Sequence, residues 1–374
     1  MANKTACAAR VGRLRKIMDE RGYDAVILRN NPDLRWLTGA ERTFDFEVAH
    51  TALVTADRLY LHTDSRYYNT FRERLGEDSA WEIDQDVIDP TAWAAEHVRD
   101  ARARVVAVED TCTLGFYDEL EAALARVSVA ALLPRLHGDL VRLRAVKDAE
   151  EVSLMRAAQK VTDAAFEHIC EVIRPGLTEQ EARVELETYM LSNGGEALSF
   201  DTILASGPNG ANPHAQPGSR VIEKGDMVVI DYGCVVGDYH SDMTRTICMG
   251  EPTDEQRRVY DVVRRAHEEC AAMARAGVIG KDVYDHSVKV IADAGYGDYY
   301  GHGLGHGVGI EIHEQPNFNR RNTEPIPVGA VITIEPGIYL PGKFGVRLED
   351  FGLVTEDGYE PFTESPHDLR VIPC

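Results

Sequence analysis

The sequence predicts two domains in tandem, an α/β domain over residues 1–140 and an α+β domain over residues 141–374. Three observations carry that expectation. The chain has 374 residues, more than a single core usually holds. Residues 11 to about 135 alternate helical and strand patterns. From Phe200 onward strands dominate, broken once by a pair of amphipathic helices.

In chain order, VGRLRKIMDERG reads as a helix stopped by Gly22, and DAVILRN as a buried strand. TALVTADRLYLHTD and ARVVAVED are further strands, with helical stretches around RYYNTFRERL and YDELEAALARV. LLPRLHGDLVRLRAVKD then leads into a long helix, opened by Asp148 and Glu151 at capping-box spacing, with Leu154, Ala158, Val161, Ala165 and Ile169 on one face. RPG at 174–176 stops it. Thr178 and Glu181 cap the next helix, and Asn193-Gly194-Gly195 end it. TDEQRRVYDVVRRAHEECAAMARAG and KDVYDHSVKVIADAG form the helical pair within the strand-rich remainder.

Composition narrows the function. A net charge of −22 repels phosphate backbones and anionic lipid, so nucleic acid and membrane surfaces are poor partners. Seven scattered cysteines without a CxxC pair argue against a disulfide framework and for a reducing, cytoplasmic setting. MANKTACAARVGRLRK lacks an apolar stretch behind its basic residues, and no run is long enough to span a bilayer, so neither export nor membrane insertion is expected.

One internal echo organises the second domain. Gly225-Asp-Met-Val-Val-Ile-Asp231-Tyr-Gly233 aligns without a gap on Gly329-Ala-Val-Ile-Thr-Ile-Glu335-Pro-Gly337. In each copy an apolar strand delivers a carboxylate at its far end, and a glycine two residues later allows a tight turn or a close backbone approach. Asp242 returns towards Asp231 after a turn at Val-Gly-Asp 236–238. A turn centred on Val236-Gly237 sets the two acids directly opposite, and one centred on Gly237-Asp238 sets them diagonal. Either register leaves them about 4.5 to 8 Å apart. Two like charges so placed in an apolar strand repel unless a cation lies between them. Glu335 and Glu349 repeat the problem, and Arg347 shares a strand face with Glu349 by period two.

GHGLGHGVGIEIHEQP at 301–316 adds His302, His306 and His313 in a glycine density that no packed helix tolerates. It is neither a phosphate loop nor an H-E-x-x-H zinc helix, and no G-x-S-x-G elbow is present. Four carboxylates and an imidazole make a hard, oxygen-rich set with room for two divalent ions, for which manganese or cobalt is better suited than zinc. Such a pair of ions activates water and polarises a carbonyl, which points to amide hydrolysis.

VVIDYG, SDMTRT, GHGLGHGVGIEIHEQP, TIEPGIY and GVRLEDFGLVTEDG resemble, in order, the motifs of the M24 pita-bread metallopeptidases, across nearly all of 140–374. NPDLRWLTGA and LYLHTDSRYY resemble the creatinase-like N-terminal domain of Xaa-Pro peptidases. The resemblance implies a creatinase-like domain over 1–140 and a pita-bread catalytic domain over 141–374. It implies Asp231 on one ion, Asp242 and Glu349 bridging both, His306 on one, and Glu335 as ligand and general base. It also implies that His214, within SGPNGANPHAQPGS, and His302 and His313 hold substrate and help protonate the leaving nitrogen, and that Arg347 lies near the metal centre. Two divalent ions, Mn²⁺ with Co²⁺ or Zn²⁺ as alternatives, small proline-containing peptides and a homodimer complete the expectation. The full N-domain and the GHGLGH form favour an aminopeptidase P-type exopeptidase, with Xaa-Pro dipeptidase (prolidase) as the alternative. A metal-free creatinase-like hydrolase and a non-enzymatic peptide-binding module fit the five retained ligand positions less well.

Overall fold

The side chain of Asn3 accepts from the amide of Ala6 and opens α1 (Lys4–Arg21), which Gly22 closes in the left-handed conformation at φ 71°. The structure, a computed structural model, describes residues 3–85 and 88–374. The chain divides into two compact units, Met1–Arg144 and Ala145–Cys374. No helix among the described residues is long and apolar enough to cross a membrane, and all seven cysteines are free.

In the first unit α1 is followed by β1 (Ala25–Leu28), α2 (Asn31–Thr38), β2 (Thr51–Thr55), β3 (Leu59–His62) and α3 (Tyr68–Leu75). Then come β4 (Glu82–Asp84), α4 (Pro90–Asp100), β5 (Val106–Val108), α5 (Leu114–Arg126) and α6 (Asp139–Ala145). The strands form one mixed sheet in the order β4-β3-β2-β1-β5, with β1 antiparallel to β2 and parallel to β5. AVIL of β1 is buried throughout, as a strand covered on both faces requires. Ile27, Leu53 and Val108 pack with Trp93 of α4 and Leu120 of α5. Helix α4 is one that the periodicity analysis passes over. Its signal was local: Asp89 accepts from the amides of Thr91 and Ala92, and Pro90 takes a first-turn position where no donor is needed.

The second unit opens with α7 (Ala149–Val172) and α8 (Glu179–Ser192), both entered through the expected capping boxes, Asp148 with Glu151 and Thr178 with Glu181. The buried face of α7 differs from the expected stripe. Leu154 and Val161 are partly buried, and the line of deepest burial runs through Met155, Ala158, Gln159, Thr162, Ala165 and Ile169. Polar Gln159 and Thr162 hid that line, because they serve the sheet: Thr162 Oγ1 meets Ser241 Oγ at 2.7 Å, next to Asp242.

Strands β6 (Ala197–Leu198), β7 (Ile203–Ser206), β8 (Met227–Tyr232), β9 (Cys234–Val236), β10 (Tyr239–His240) and β11 (Met243–Met249) follow. After α9 (Asp254–Met273) and α10 (Gly280–Asp293) come β12 (Gly305–Gly307), β13 (Glu314–Phe318), β14 (Val331–Ile334) and β15 (Gly337–Leu340). The chain finishes with β16 (Phe344–Arg347), β17 (Asp350–Val354), β18 (Tyr359–Pro361) and β19 (Arg370–Ile372). One sheet has the order β19-β11-β8-β7 and another β13-β12-β14-β17-β18. Apolar residues of α7 and α8, among them Phe166, Ile169, Leu186 and Met190, cover the first sheet at Val228, Ile230 and Ile247. Cys270 of α9 and Val283 of α10 cover the second at Ile332, Ile334 and Val354.

The sequence echo is therefore an architectural one. Each half has a helix pair, a strand ending near an acid, a short hairpin, a second acid and a return strand. In the first half these are β8 with Asp231, the β9–β10 hairpin, Asp242 and β11; in the second, β14, Glu335, the β15–β16 hairpin, Glu349 and β17.

Candidate metal centre

The register of the first half chooses between the two turns left open by the sequence. Val236 pairs with Tyr239 and Asp231 with Thr244, so the turn centres on Gly237 and Asp238. Both have positive φ, 57° and 67°, as a tight primed hairpin turn demands. Asp242 therefore stands diagonal to Asp231. The glycine of the echo serves close approach: a Cβ at Gly233 would lie 2.1 Å from the carbonyl oxygen of Ser241.

In the second half Ile334 pairs with Asp350, so one step further along the register Glu335 faces Glu349. A bridge from Thr244 to Glu349 joins the two halves. Glu349 N donates to Thr244 O at 3.0 Å and Thr244 Oγ1 donates to Glu349 Oε2 at 2.7 Å. This seam brings the four acids to one place. Together with His214, His302, His306, His313 and Arg347 they line a single cavity of about 530 Å³, whose walls also include Phe200, Ile203, Ile312 and Asn317.

The charge balance in that cavity is poor. Burial first, then repulsion from Asp231 and Glu335, pushes the Asp242 carboxyl well above its usual range. Glu349 is raised for the same reasons, by burial and by Asp242, against the Thr244 hydroxyl that lowers it. Burial and Asp231 lift Glu335 to about 8 although Arg347 opposes them. Arg347 is a buried cation whose Nη2 pairs with Asp231 Oδ2, while Nε donates to Thr244 Oγ1 at 3.1 Å and Nη1 to Tyr339 Oη at 2.7 Å.

His306 supplies the decisive geometry. Its Nδ1 lies 2.9 Å from the carbonyl oxygen of Gly307 and must donate to it, and burial holds the ring neutral with a pKa of about 4. Nε2 therefore carries a lone pair, and it points at Glu335 Oε1, 3.5 Å away, and Asp242 Oδ2, 3.6 Å away. Three such ligand atoms facing one another in a buried site suit a cation among them, and without one the acids are pushed towards their protonated forms. Ligand atoms of Asp242, His306 and Glu349 lie within 4.8 Å of one another. The donor set thus fits divalent ions, with Asp231 and Glu335 beside it. The backbone also holds His306 close: a Cβ at Gly305 would lie 2.0 Å from Thr333 O.

The remaining expected residues divide. His313 packs edge-on against His306, ring centroids 4.5 Å apart, and burial lowers its pKa. His214 is exposed on the cavity wall. His302 lines the cavity with both ring nitrogens engaged within the protein. Nδ1 donates to Gly303 O at 2.7 Å, which leaves Nε2 to accept from Tyr339 Oη at 2.9 Å. Sequence reasoning missed Tyr339, the hub between His302 and Arg347, and Thr244, the hub between Arg347 and Glu349. Both lay inside quoted motifs, TIEPGIY and SDMTRT, but hydroxyls carry no periodic signal.

The sequence profile of metallopeptidase family M24 matches residues 153–356, and that of the creatinase/prolidase N-terminal domain matches residues 10–146. The chain belongs to metallopeptidase family M24. Members of that family are dinuclear and metal-dependent, as the acceptor-rich cavity requires. An M24 relative named Xaa-Pro dipeptidase, from Pyrococcus horikoshii, is 32% identical over 362 residues, covering 96% of this chain and 98% of the relative. The solved structure of an Xaa-Pro dipeptidase from Bacillus anthracis superposes with a TM-score of 0.90 at 35% identity, covering 98% of this chain and 99% of that one. An X-Pro aminopeptidase from Thermotoga maritima superposes with a TM-score of 0.87 at 32% identity, covering 97% and 99%. The pita-bread architecture and the metallo-exopeptidase class follow from this membership.

Proposed function

We propose that this chain is an Xaa-Pro dipeptidase, a prolidase, in which Asp231, Asp242, His306, Glu335 and Glu349 hold two divalent ions, Mn²⁺ first and Co²⁺ or Zn²⁺ as alternatives. The observation that supports it most is the end-to-end match to chains named Xaa-Pro dipeptidase. The N-domain and the GHGLGH form, which favoured aminopeptidase P-type cleavage in the sequence, belong equally to full-length prolidases and so do not discriminate. The X-Pro aminopeptidase of comparable similarity keeps that activity as the second reading.

When bound, the ions lower the pKa of water and polarise the scissile carbonyl. The protein does the rest. Glu335, beside the ion site, would take the proton released by the attacking water. Arg347 fixes Asp231 and, through Tyr339, the ring of His302. A prolyl nitrogen leaves as a secondary amine and must be protonated on its own side of the bond. His313 lies on the cavity wall with its pKa lowered towards the neutral ring, and it offers an N–H for this step, with His214 on the same wall. Phe200, Ile203 and Ile312 give the cavity the apolar surface that a proline ring fills.

The test is hydrolysis by metal-stripped protein to which Mn²⁺ is returned. Gly-Pro cleavage in preference to Gly-Pro-Pro-Ala is expected, with no cleavage of Gly-Ala. Preference for the tetrapeptide would replace the dipeptidase reading with aminopeptidase P-type activity, and silence on all three with two ions bound would overturn both.

A further inference from the structure

We propose a second metal site, separate from the cavity, formed by His267 of α9, Asp350 of β17 and His367 of the C-terminal segment. Ligand atoms from the three lie within 4.8 Å of one another. His367 Nε2 is 2.7 Å and His267 Nε2 is 3.5 Å from the same oxygen, Asp350 Oδ2. The two imidazole rings meet edge to face with centroids 4.8 Å apart.

His267 is the observation that ordinary packing leaves unexplained. It is fully buried, yet neither ring nitrogen makes a hydrogen bond. An imidazole left without partners in a protein interior is costly, so such a group calls for a ligand. Burial holds the ring neutral, with a pKa of about 4, so one ring nitrogen carries a lone pair, and Nε2 is the nitrogen that faces Asp350.

The surrounding charges suit a cation at one oxygen and not at the other. Arg245 Nη2 occupies Asp350 Oδ1 at 2.8 Å and leaves Oδ2 to the imidazoles. Glu268 Oε1 stands 3.9 Å from His367 Nδ1. Two imidazoles and one carboxylate are borderline donors that prefer Zn²⁺, Ni²⁺ or Cu²⁺ to Mn²⁺. Donors about 2.0–2.2 Å from a tetrahedral ion stand roughly 3.3–3.5 Å apart, so His367, now at 2.7 Å from Asp350 Oδ2, has to draw back by about 0.6–0.8 Å. His367 Nε2 now donates its proton to Asp350. On binding, Nε2 gives up that proton and Nδ1, beside Glu268, carries one instead. With His367 one-third exposed, the remaining positions on the ion face water. Occupancy ties the C-terminal segment to α9 and β17.

The experiment loads the full-length protein with Mn²⁺, adds Ni²⁺ in equilibrium dialysis, and counts both metals by elemental analysis for wild type and His367→Gln. One Ni²⁺ per wild-type chain without Mn²⁺ release is expected, with at least tenfold weaker uptake in the variant and a nickel-induced rise in Tm seen in wild type alone. Equal uptake by both proteins, or one Mn²⁺ lost for each Ni²⁺ gained, overturns the site. The comparison of wild type with variant reads this site whether or not Mn²⁺ occupies the cavity. His367→Gln lies at the surface, and an unchanged Mn²⁺-bound melting curve verifies its fold.

Discussion

Thr244 and Glu349 are joined twice, by a backbone hydrogen bond of 3.0 Å and by the Thr244 hydroxyl on Glu349 Oε2 at 2.7 Å. Thr244 also lies opposite Asp231 in the sheet and receives Arg347 Nε. One hydroxyl thereby orients carboxylates from both halves of the domain. Thr244→Val keeps the shape and removes that hydrogen bond. Metal affinity should fall by about 10–100-fold, the usual cost of losing a group that orients a ligand. Calorimetric Mn²⁺ titration measures it, and an affinity within twofold of wild type would contradict this role.

Stability of the ion-free protein should fall as pH rises from 6.5 to 8.5. Glu335, Asp242 and Glu349 have folded pKa values raised above their unfolded ones, Glu335 to about 8. The folded state therefore binds more protons than the unfolded chain, so stability is lost as pH rises from the usual carboxylate range up to the raised values and levels off above them. Buried His50 and His267, lowered to about 4, act below pH 6.5 in the opposite direction, so the window isolates the acids. Thermal melts after EDTA treatment test this. Mn²⁺ should remove the slope, and a flat ion-free profile would show that the acids are not coupled to folding.

Glu335→Gln should separate stability from activity. It removes a buried, repelled carboxylate and should raise the Tm of the ion-free protein at pH 8. It also removes a ligand and the base, so turnover of Gly-Pro should drop by about 10²–10⁴-fold or more. A parallel loss of both would mean that Glu335 serves the fold rather than the reaction.

Gly305→Ala should destabilise the metal centre from the backbone side. The new methyl would lie 2.0 Å from Thr333 O, across the β12–β14 pair that carries His306. A cost of about 1–3 kcal/mol or more is expected from such overpacking, seen as a lowered Tm together with weaker Mn²⁺ binding. Gly301→Ala is the control, because nothing lies within 4 Å of its added Cβ. Equal Tm values for the two variants would remove the close-approach argument.

The sequence by itself determined the long amphipathic helices, the capping boxes of α7 and α8, the apolar strands and the positions of the acids. These depend on local rules: a capping box is four residues long, and a buried strand shows in its own composition. The echo between Gly225–Gly233 and Gly329–Gly337 likewise set a carboxylate at the far end of an apolar strand in each copy. Tertiary structure alone decided what joins them. The choice of Gly237-Asp238 for the turn, the Thr244–Glu349 seam, the Tyr339 hub and the buried polar line of α7 all pair residues distant in the chain. Hydrogen bonds between hydroxyls, carboxylates and carbonyls have no period for a sequence to display, and their partners are fixed when the sheets pack.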